Sequence, residues 1–363
     1  MTITQHRHAW NLIAAIPAAL LLLLFTAGCR QGRNTASTSV PQTDTCAVDP
    51  DGTAHITRVV PVPQTISPEA QSFISRPVPA GPEPTLAERR AAQDKARISR
   101  TVEARKIYPV DIKEQTMGGV RCDVIKSLKI PAAKQDRVLI NVHGGGFNAD
   151  SGSLVEGIPI AYLTGTTVVS VYYRLAPEYP YPAAVDDTEA VYKELLKTHK
   201  PAKIGLYGTS AGAILTAEVA ARLRHDGVPL PAVLGVFSGT GDMSQPGDSA
   251  ALFTVGGFGG NLQPPKAPLI SPYVGTTDPK DPVLSPIYSD LKGFPPTLLV
   301  TSTRDVLLSG TANLHRALLQ AGVAAELVVF DGLPHAFWYN YNLPETKEAL
   351  DIMARFFDKN LGG

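Results

Sequence analysis

Ser210 lies in Gly208-Thr209-Ser210-Ala211-Gly212, where an apolar run from Lys203 to Tyr207 passes into a helical pattern over Ala213–Arg224. A serine at such a strand-to-helix turn is held on a sharp elbow, its hydroxyl exposed and a helix N-terminus behind it. The flanking glycines keep the turn free of side chains that would crowd it. A hydroxyl is a poor nucleophile at neutral pH without a base in hydrogen-bond reach. His335, in Gly332-Leu333-Pro334-His335-Ala336-Phe337, supplies an imidazole that takes and returns a proton near neutrality. Asp305 follows the apolar run Thr297–Thr301, and its carboxylate is expected to orient that imidazole and stabilise its charged form. His315 also follows Asp305, but Leu314-His315-Arg316-Ala317 reads as a helix surface. Upstream, Val138–Val142 runs into His143-Gly144-Gly145-Gly146-Phe147, a glycine run whose N–H groups are free to meet a developing oxyanion. The predicted oxyanion hole uses the N–H groups of Gly145, Gly146 and Ala211, the residue after the serine. His143 is expected to position this loop rather than transfer protons.

These groups come in the order Ser, Asp, His, each just past a strand-like run, where open parallel sheets place their ligands. From Val110 onward strands and helices alternate. A hairpin turns at Gly118-Gly119, and helical patterns cover about Ala183–Thr198, Thr311–Gln320 and Glu345–Asn360. Such alternation predicts an α/β fold with a mostly parallel sheet and helices on both faces. Before it, Ser67 and Pro68 read as the cap and first residue of a helix. Thr85-Leu86-Ala87-Glu88 is a capping box opening a helix to about Lys106. That helix carries Glu88, Arg90, Asp94, Arg97 and Arg100, which leaves a narrow apolar stripe suited to packing. Gly241 to about Asp290 interrupts the alternation with a Gly- and Pro-rich stretch. No internal repeat and no phosphate-binding loop is present.

From about Val110 the chain resembles the hormone-sensitive-lipase-like branch of the α/β-hydrolases, the bacterial family IV esterases. The resemblance is carried by His143–Phe147, Tyr173-Arg174-Leu175-Ala176-Pro177-Glu178, Pro182–Asp187, the Ser210 pentapeptide, Asp305-Val306-Leu307-Leu308 and Pro334–Phe337. Thr209 stands where many members carry Asp, as in the Gly-Thr-Ser-Ala-Gly subgroup. The resemblance implies an α/β-hydrolase fold with a helical cap built from about 67–108 and 241–290, within a catalytic domain spanning 67–363. It implies a carboxylic ester hydrolase for short- to medium-chain esters, working through an acyl-enzyme on Ser210, His335 and Asp305. No metal or organic cofactor is implied. A lactonase, deacetylase or amidase would use the same triad. A non-catalytic ligand-binding member of the superfamily would lack the histidine that stands here at 335. A prolyl-oligopeptidase-type peptidase shares the residue order, but the chain has no room for its propeller.

At 363 residues and 44% hydrophobic content the chain has enough apolar material for one large core and a smaller cap. Its 33 basic and 33 acidic residues balance, so no field favours nucleic acid. Arg7 is the one charged side chain before Arg30, and Ala9–Gly28 is an uncharged, Leu-rich run, apolar but for Asn11 and Thr26. Residues 1–28 therefore read as a secretory signal. Thr26-Ala27-Gly28-Cys29 resembles a bacterial lipobox, which would lipidate Cys29 and attach the protein to a membrane of the cell envelope. A plain cleaved signal or an uncleaved anchor remains open. Residues 29–66, rich in Ser, Thr, Pro and Gln, read as a tether. Cys46 and Cys122 pair or stay free; nothing in their spacing decides, and neither has metal-site neighbours. Arg174, Glu178, Asp186 and Asp187 read as paired charges that fix turns, since a glycosidase needs two carboxylates facing one cleft. Tyr172, Tyr173, Phe147, Phe258 and Trp338 suit pocket walls and core equally.

Overall fold

The protein is described by a computed structural model covering residues 44–57, 59–76, 84–245, 247–252 and 272–362. The signal segment, Cys29, the start of the tether and Phe258 lie outside the described residues, as does part of the 241–290 stretch. The chain divides into two units between Val60 and Pro61. In the first, β1 (Thr45–Val48) and β2 (Ala54–Thr57) form an antiparallel hairpin, with Cys46 opposite Ile56. The stretch read as a tether thus contains a folded turn. Asp49-Pro50-Asp51-Gly52 is a turn signal: the Gly52 N–H donates to Asp49 O, and the Thr53 N–H donates to Asp51 Oδ1 at 2.9 Å. Cys46 and Cys122 are both free thiols, one exposed and one buried.

The second unit opens with α1 (Pro68–Ile74) and α2 (Leu86–Ile107). Ser67 caps α1 and the Thr85–Glu88 capping box closes reciprocally at the start of α2, as their sequences predict. β3 (Val110–Met117) and β4 (Val120–Ser127) make the expected hairpin at Gly118-Gly119. Next come β5 (Val138–Val142), α3 (Ser153–Thr164), β6 (Thr167–Val171), α4 (Ala183–Leu195), β7 (Ile204–Thr209), α5 (Ala211–His225) and β8 (Val233–Phe237). The chain continues with α6 (Asp248–Leu252), β9 (Thr297–Arg304), α7 (Leu308–Gln320), β10 (Ala325–Pro334) and α8 (Pro344–Asn360). The eight strands from β3 onward form one sheet in the order β10-β9-β8-β7-β5-β6-β4-β3, antiparallel only where β4 meets β3 and β6.

The central strands β5, β7 and β8 are buried along their whole length, because helices cover both faces. One face packs α4, α5 and α7 around Ile140, Leu206, Leu215 and Leu299. The other packs α1, α3 and α8 around Leu139, Ile158, Phe237 and Phe357. α3 has no counterpart in the sequence reading. It is buried on nearly every side, carries Pro159 in its interior and has no side-chain cap, so neither an amphipathic period nor a start signal marks it. Among the described residues no helix is long and apolar enough to cross a membrane.

Candidate active site

Ser210 sits between the last residue of β7 and the first of α5, with φ 60° and ψ −122°. Those angles belong to a region that L-residues rarely occupy, so the surrounding structure must hold the residue there. The Ser210 N–H donates to Phe237 O at 2.9 Å, and the hydroxyl makes no capping bond to α5. Gly208 and Gly212 are needed for a reason outside the turn itself. A Cβ on either would press against the carbonyl oxygen of Val142 at the end of the neighbouring β5. The elbow is therefore wedged against the strand that feeds the oxyanion loop.

That loop is built as its glycines suggest. Gly145, Gly146 and Phe147 have φ of 118°, 63° and 61°, and a Cβ on Gly145 would collide with Ala149 O. Among the described residues the N–H groups of Gly145, Gly146 and Ala211 make no hydrogen bond within the chain. His143 behaves as a structural residue. Its Nδ1 bonds Gly144 O at 2.8 Å and its ring stacks on Tyr173 at 4.2 Å. The Tyr173 hydroxyl donates to His143 O at 2.6 Å. Phe147 stacks on Tyr273, whose hydroxyl donates to the buried Glu218 of α5 at 2.6 Å.

Asp305 follows β9 and His335 follows β10, so both stand at the same edge of the sheet as Ser210. His335 Nδ1 meets Asp305 Oδ1 at 2.8 Å. A carboxylate only accepts, so Nδ1 carries the proton and Nε2 is left as the basic nitrogen. Asp305 is fully buried yet well supplied with donors: Ser238 Oγ, Thr301 Oγ1 at 2.9 Å and the Leu307 N–H at 2.9 Å. Burial opposes its ionisation. The His335 charge and these hydrogen bonds outweigh it and hold the carboxyl below its ordinary value. No hydrogen bond is made between Ser210 and His335, and a nucleophile–base contact of this kind commonly tightens only in the reacting complex. Among the described residues no group of His, Cys, Asp or Glu is arranged to hold a metal ion.

The charges around Arg174 fix turns, as their sequence reading has it. Arg174 pairs with Asp187 at 2.9 Å, and Arg222 with Asp186 at 3.0 Å. Glu178 is held by Arg90, which pulls its carboxyl down to about 2. His315 lies on α7 with Nε2 3.3 Å from Ala325 O, away from the triad. The arginines of α2, however, do more than keep a helix wet. Arg90 Nε donates to Asn148 O at 2.6 Å and its Nη2 to Ala176 O at 3.0 Å. Arg97 Nε lies 3.4 Å from Asp150, which in turn accepts from the Gly152 and Ser153 N–H groups at the start of α3. α2 thus grips the segment just after the glycine loop, at Asn148 and Asp150, together with Ala176, whose N–H donates to Phe147 O.

A cavity of about 920 Å³ lies between α1, α2 and the segment after His335. Arg76, Arg100, Glu69 and Glu103 line it beside Phe73, Phe337 and Leu343, but none of the triad or oxyanion residues do. It is a mixed-charge cleft next to the site rather than the acyl pocket.

Sequence reasoning missed Ser238 and Thr301, which reach Asp305 from β8 and β9, and also Glu156 on α3. Glu156 is 4% exposed, accepts from Asn141 Nδ2 at 3.1 Å and from the Tyr339 hydroxyl, and its pKa is pushed up to about 8. Burial is the main cause. Asp150 adds to it, while Tyr339, Asn141 and Thr209 work against it. A carboxyl whose value rises from 4.5 to about 8 on folding keeps its proton when the unfolded chain has lost it. Its stabilisation is complete below 4.5 and is lost as pH rises toward 8. Glu156→Gln removes that loss. Its unfolding free energy should gain on wild type from pH 5 to pH 8, at up to about 1.4 kcal/mol per pH unit, and level off above, with the melting temperature following. A constant gap across that range in calorimetric scans would place the proton elsewhere.

Comparisons with known proteins place this geometry among relatives. The family profile described as alpha/beta hydrolase fold matches residues 139–339. An acetyl-hydrolase of Streptomyces hygroscopicus is 32% identical over 62% of this chain and 77% of its own. The crystal structure of esterase E25 superposes with a TM-score of 0.73 at 34% identity, covering 84% of this chain and 98% of that one. An esterase from the bacterial hormone-sensitive lipase family gives a TM-score of 0.68 at 31% identity, covering 82% of this chain and 99% of its own.

Proposed function

The chain belongs to the α/β-hydrolase fold family, in its hormone-sensitive-lipase-like esterase branch, and we propose that it is a serine carboxylesterase acting on short- to medium-chain esters. The observation that carries the reading is the buried Asp305–His335 pair standing at the same sheet edge as a strained Ser210. Ser210 Oγ adds to the ester carbonyl while His335 Nε2 takes its proton. The oxyanion rests on the N–H groups of Gly145, Gly146 and Ala211. His335 returns the proton to the leaving alcohol as its C–O bond breaks, which leaves an acyl-Ser210. Water, deprotonated by His335, adds to the acyl carbon, and the acid departs as Ser210 regains its proton. Asp305 holds the imidazole tautomer throughout.

Preference for short acyl chains is supported by the cap. α1 has seven residues, and along its 22 residues α2 exposes only Ile98, Val102 and Ile107 as large apolar side chains, so neither offers the broad apolar face that a lid needs at an oil surface. The name of the acetyl-hydrolase relative points the same way. Initial rates on p-nitrophenyl esters of rising acyl length should climb and then fall, with no jump when triglyceride passes into emulsion. Such a jump would make the protein a lipase. Lactones, acetylated sugars and amides in the same panel test the other uses of this triad. The residue 1–28 signal and Cys29 support an envelope location with a lipid anchor, as part of the same proposal.

A further inference from the structure

Glu156 is a buried acid that the hydrolytic steps do not use. Taking a carboxyl out of water is costly, and a leucine would fill the same core more cheaply. What the carboxyl gains is contact with three segments at once. Asn141, two residues before His143, reaches it from β5 at 3.1 Å. Tyr339, four residues after His335, donates its hydroxyl. The Thr209 side chain, directly before Ser210, lines the same small void as Glu156 and Trp338. Trp338 closes the arrangement, its indole N–H donating to Thr209 Oγ1 at 3.1 Å. Asn141 is itself fixed by Ser170 Oγ at 3.2 Å.

Gly152 adds independent testimony. Its φ of −154° suits any residue, yet a Cβ there would run into the Tyr339 hydroxyl and lie 2.7 Å from Glu156 Oε1. The glycine keeps open the space in which these two side chains meet. The first turn of α3, the end of β7 and the turn after β10 are thereby pinned to one another directly beneath the elbow.

We propose that Glu156 is a positioning residue that fixes the distance between the Ser210 elbow and the His335 turn by holding Asn141 and Tyr339 in one buried cluster, with Trp338, the neighbour of Tyr339, carrying the link on to Thr209. The proposal rests on Ser210 being the nucleophile. Thr209 is then more than a spacer in the pentapeptide: its hydroxyl is the link through which the cluster reaches the serine. Loss of the cluster loosens the serine–imidazole geometry without touching the substrate, so it is felt in the chemical step and not in binding. Misplacement by about 1 Å costs on the order of 10²-fold.

The test uses the full chain and two readouts, the rate of Ser210 labelling by an excess of a fluorophosphonate and kcat and KM for p-nitrophenyl acetate. Glu156→Leu is expected to lower labelling and kcat by about 100-fold with KM within about threefold. Glu156→Gln, which keeps the volume and an acceptor for Tyr339, should restore both to within about fivefold of wild type. Tyr339→Phe and Thr209→Val each remove one hydroxyl, should cost about tenfold in the same direction, and decide the matter if Glu156→Leu does not fold. The proposal falls if a folded Glu156→Leu labels at the wild-type rate, if the loss lies in KM, if Gln rescues nothing, or if both hydroxyl deletions stay within twofold. A wild type that is labelled but hydrolyses no ester overturns the substrate reading alone. A wild type not labelled at Ser210 overturns both.

Discussion

Ser210→Ala is expected to fold normally and to lose ester turnover by about 10⁴-fold or more, the cost typical of removing a triad member. The reason lies in division of labour. The N–H groups of Gly145, Gly146 and Ala211 remain to receive an oxyanion, but no atom is left to form the acyl intermediate. His335→Ala should cost about as much, and the double variant little more than either, because the residues act as one unit. Near-additive losses would mean that the histidine serves some other group. Retention of even a tenth of the activity by Ser210→Ala would remove it as nucleophile. Folding is checked by near-ultraviolet circular dichroism, and turnover by p-nitrophenyl butyrate at substrate saturation.

Asp305→Asn should preserve the shape of the site and still lower kcat by about 10⁴-fold. The carboxylate accepts from His335, Ser238, Thr301 and the Leu307 N–H, so every one of its neighbours is a donor. An amide presents two N–H groups to this set and so meets at least one donor with a donor. If the amide oxygen stays with the Ser238 and Thr301 hydroxyls, which share Oδ2, the nitrogen takes the place of Oδ1 and faces His335 Nδ1 and the Leu307 N–H. The imidazole then moves its proton to Nε2 and loses the lone pair that Ser210 needs. The readouts are kcat and the ring-proton resonances of the histidine. A variant that kept a hundredth of wild-type kcat would show that Asp305 only packs, and Ser238 with Thr301 would then be caps for an ordinary turn.

Much of this site is legible in the chain because its parts obey local rules. A glycine-flanked serine after an apolar run, a glycine run after a strand, and an Asp and a His after two later strands are each written within a few residues. The strand order then brings them to one edge. What stays hidden is what depends on distant partners. Ser238 looks like any residue at a strand end until β9 is laid beside β8. Glu156 sits in Leu154-Val155-Glu156-Gly157-Ile158, and a charge in so apolar a run is a signal, but its meaning depends on Tyr339 almost two hundred residues away. α3 as a whole is hidden for the reason that makes it central: a helix covered on nearly every side, with only Tyr162 exposed, carries little period. Arg90 and Arg97 show the opposite limit. On composition they keep α2 soluble, and only the folded chain shows that their guanidinium groups end on Asn148, Ala176, Glu178 and Asp150.

Those arginines bear on how the protein is put together and altered. The cap of such a hydrolase is easily pictured as a detachable module, exchanged to change which ester is admitted while the catalytic body is left alone. Here the guanidinium of Arg90 ends on the backbone carbonyls of Asn148, just after the glycine loop, and of Ala176, and that of Arg97 on Asp150. A grafted helix that lacked an arginine at the place of Arg90 would leave Asn148 O and Ala176 O unclaimed, and one without Arg97 would leave Asp150 without its guanidinium. In this chain α2 and the segment after the glycine loop are bonded to each other, and a recombination breakpoint placed between Ile107 and Val110 would separate the two.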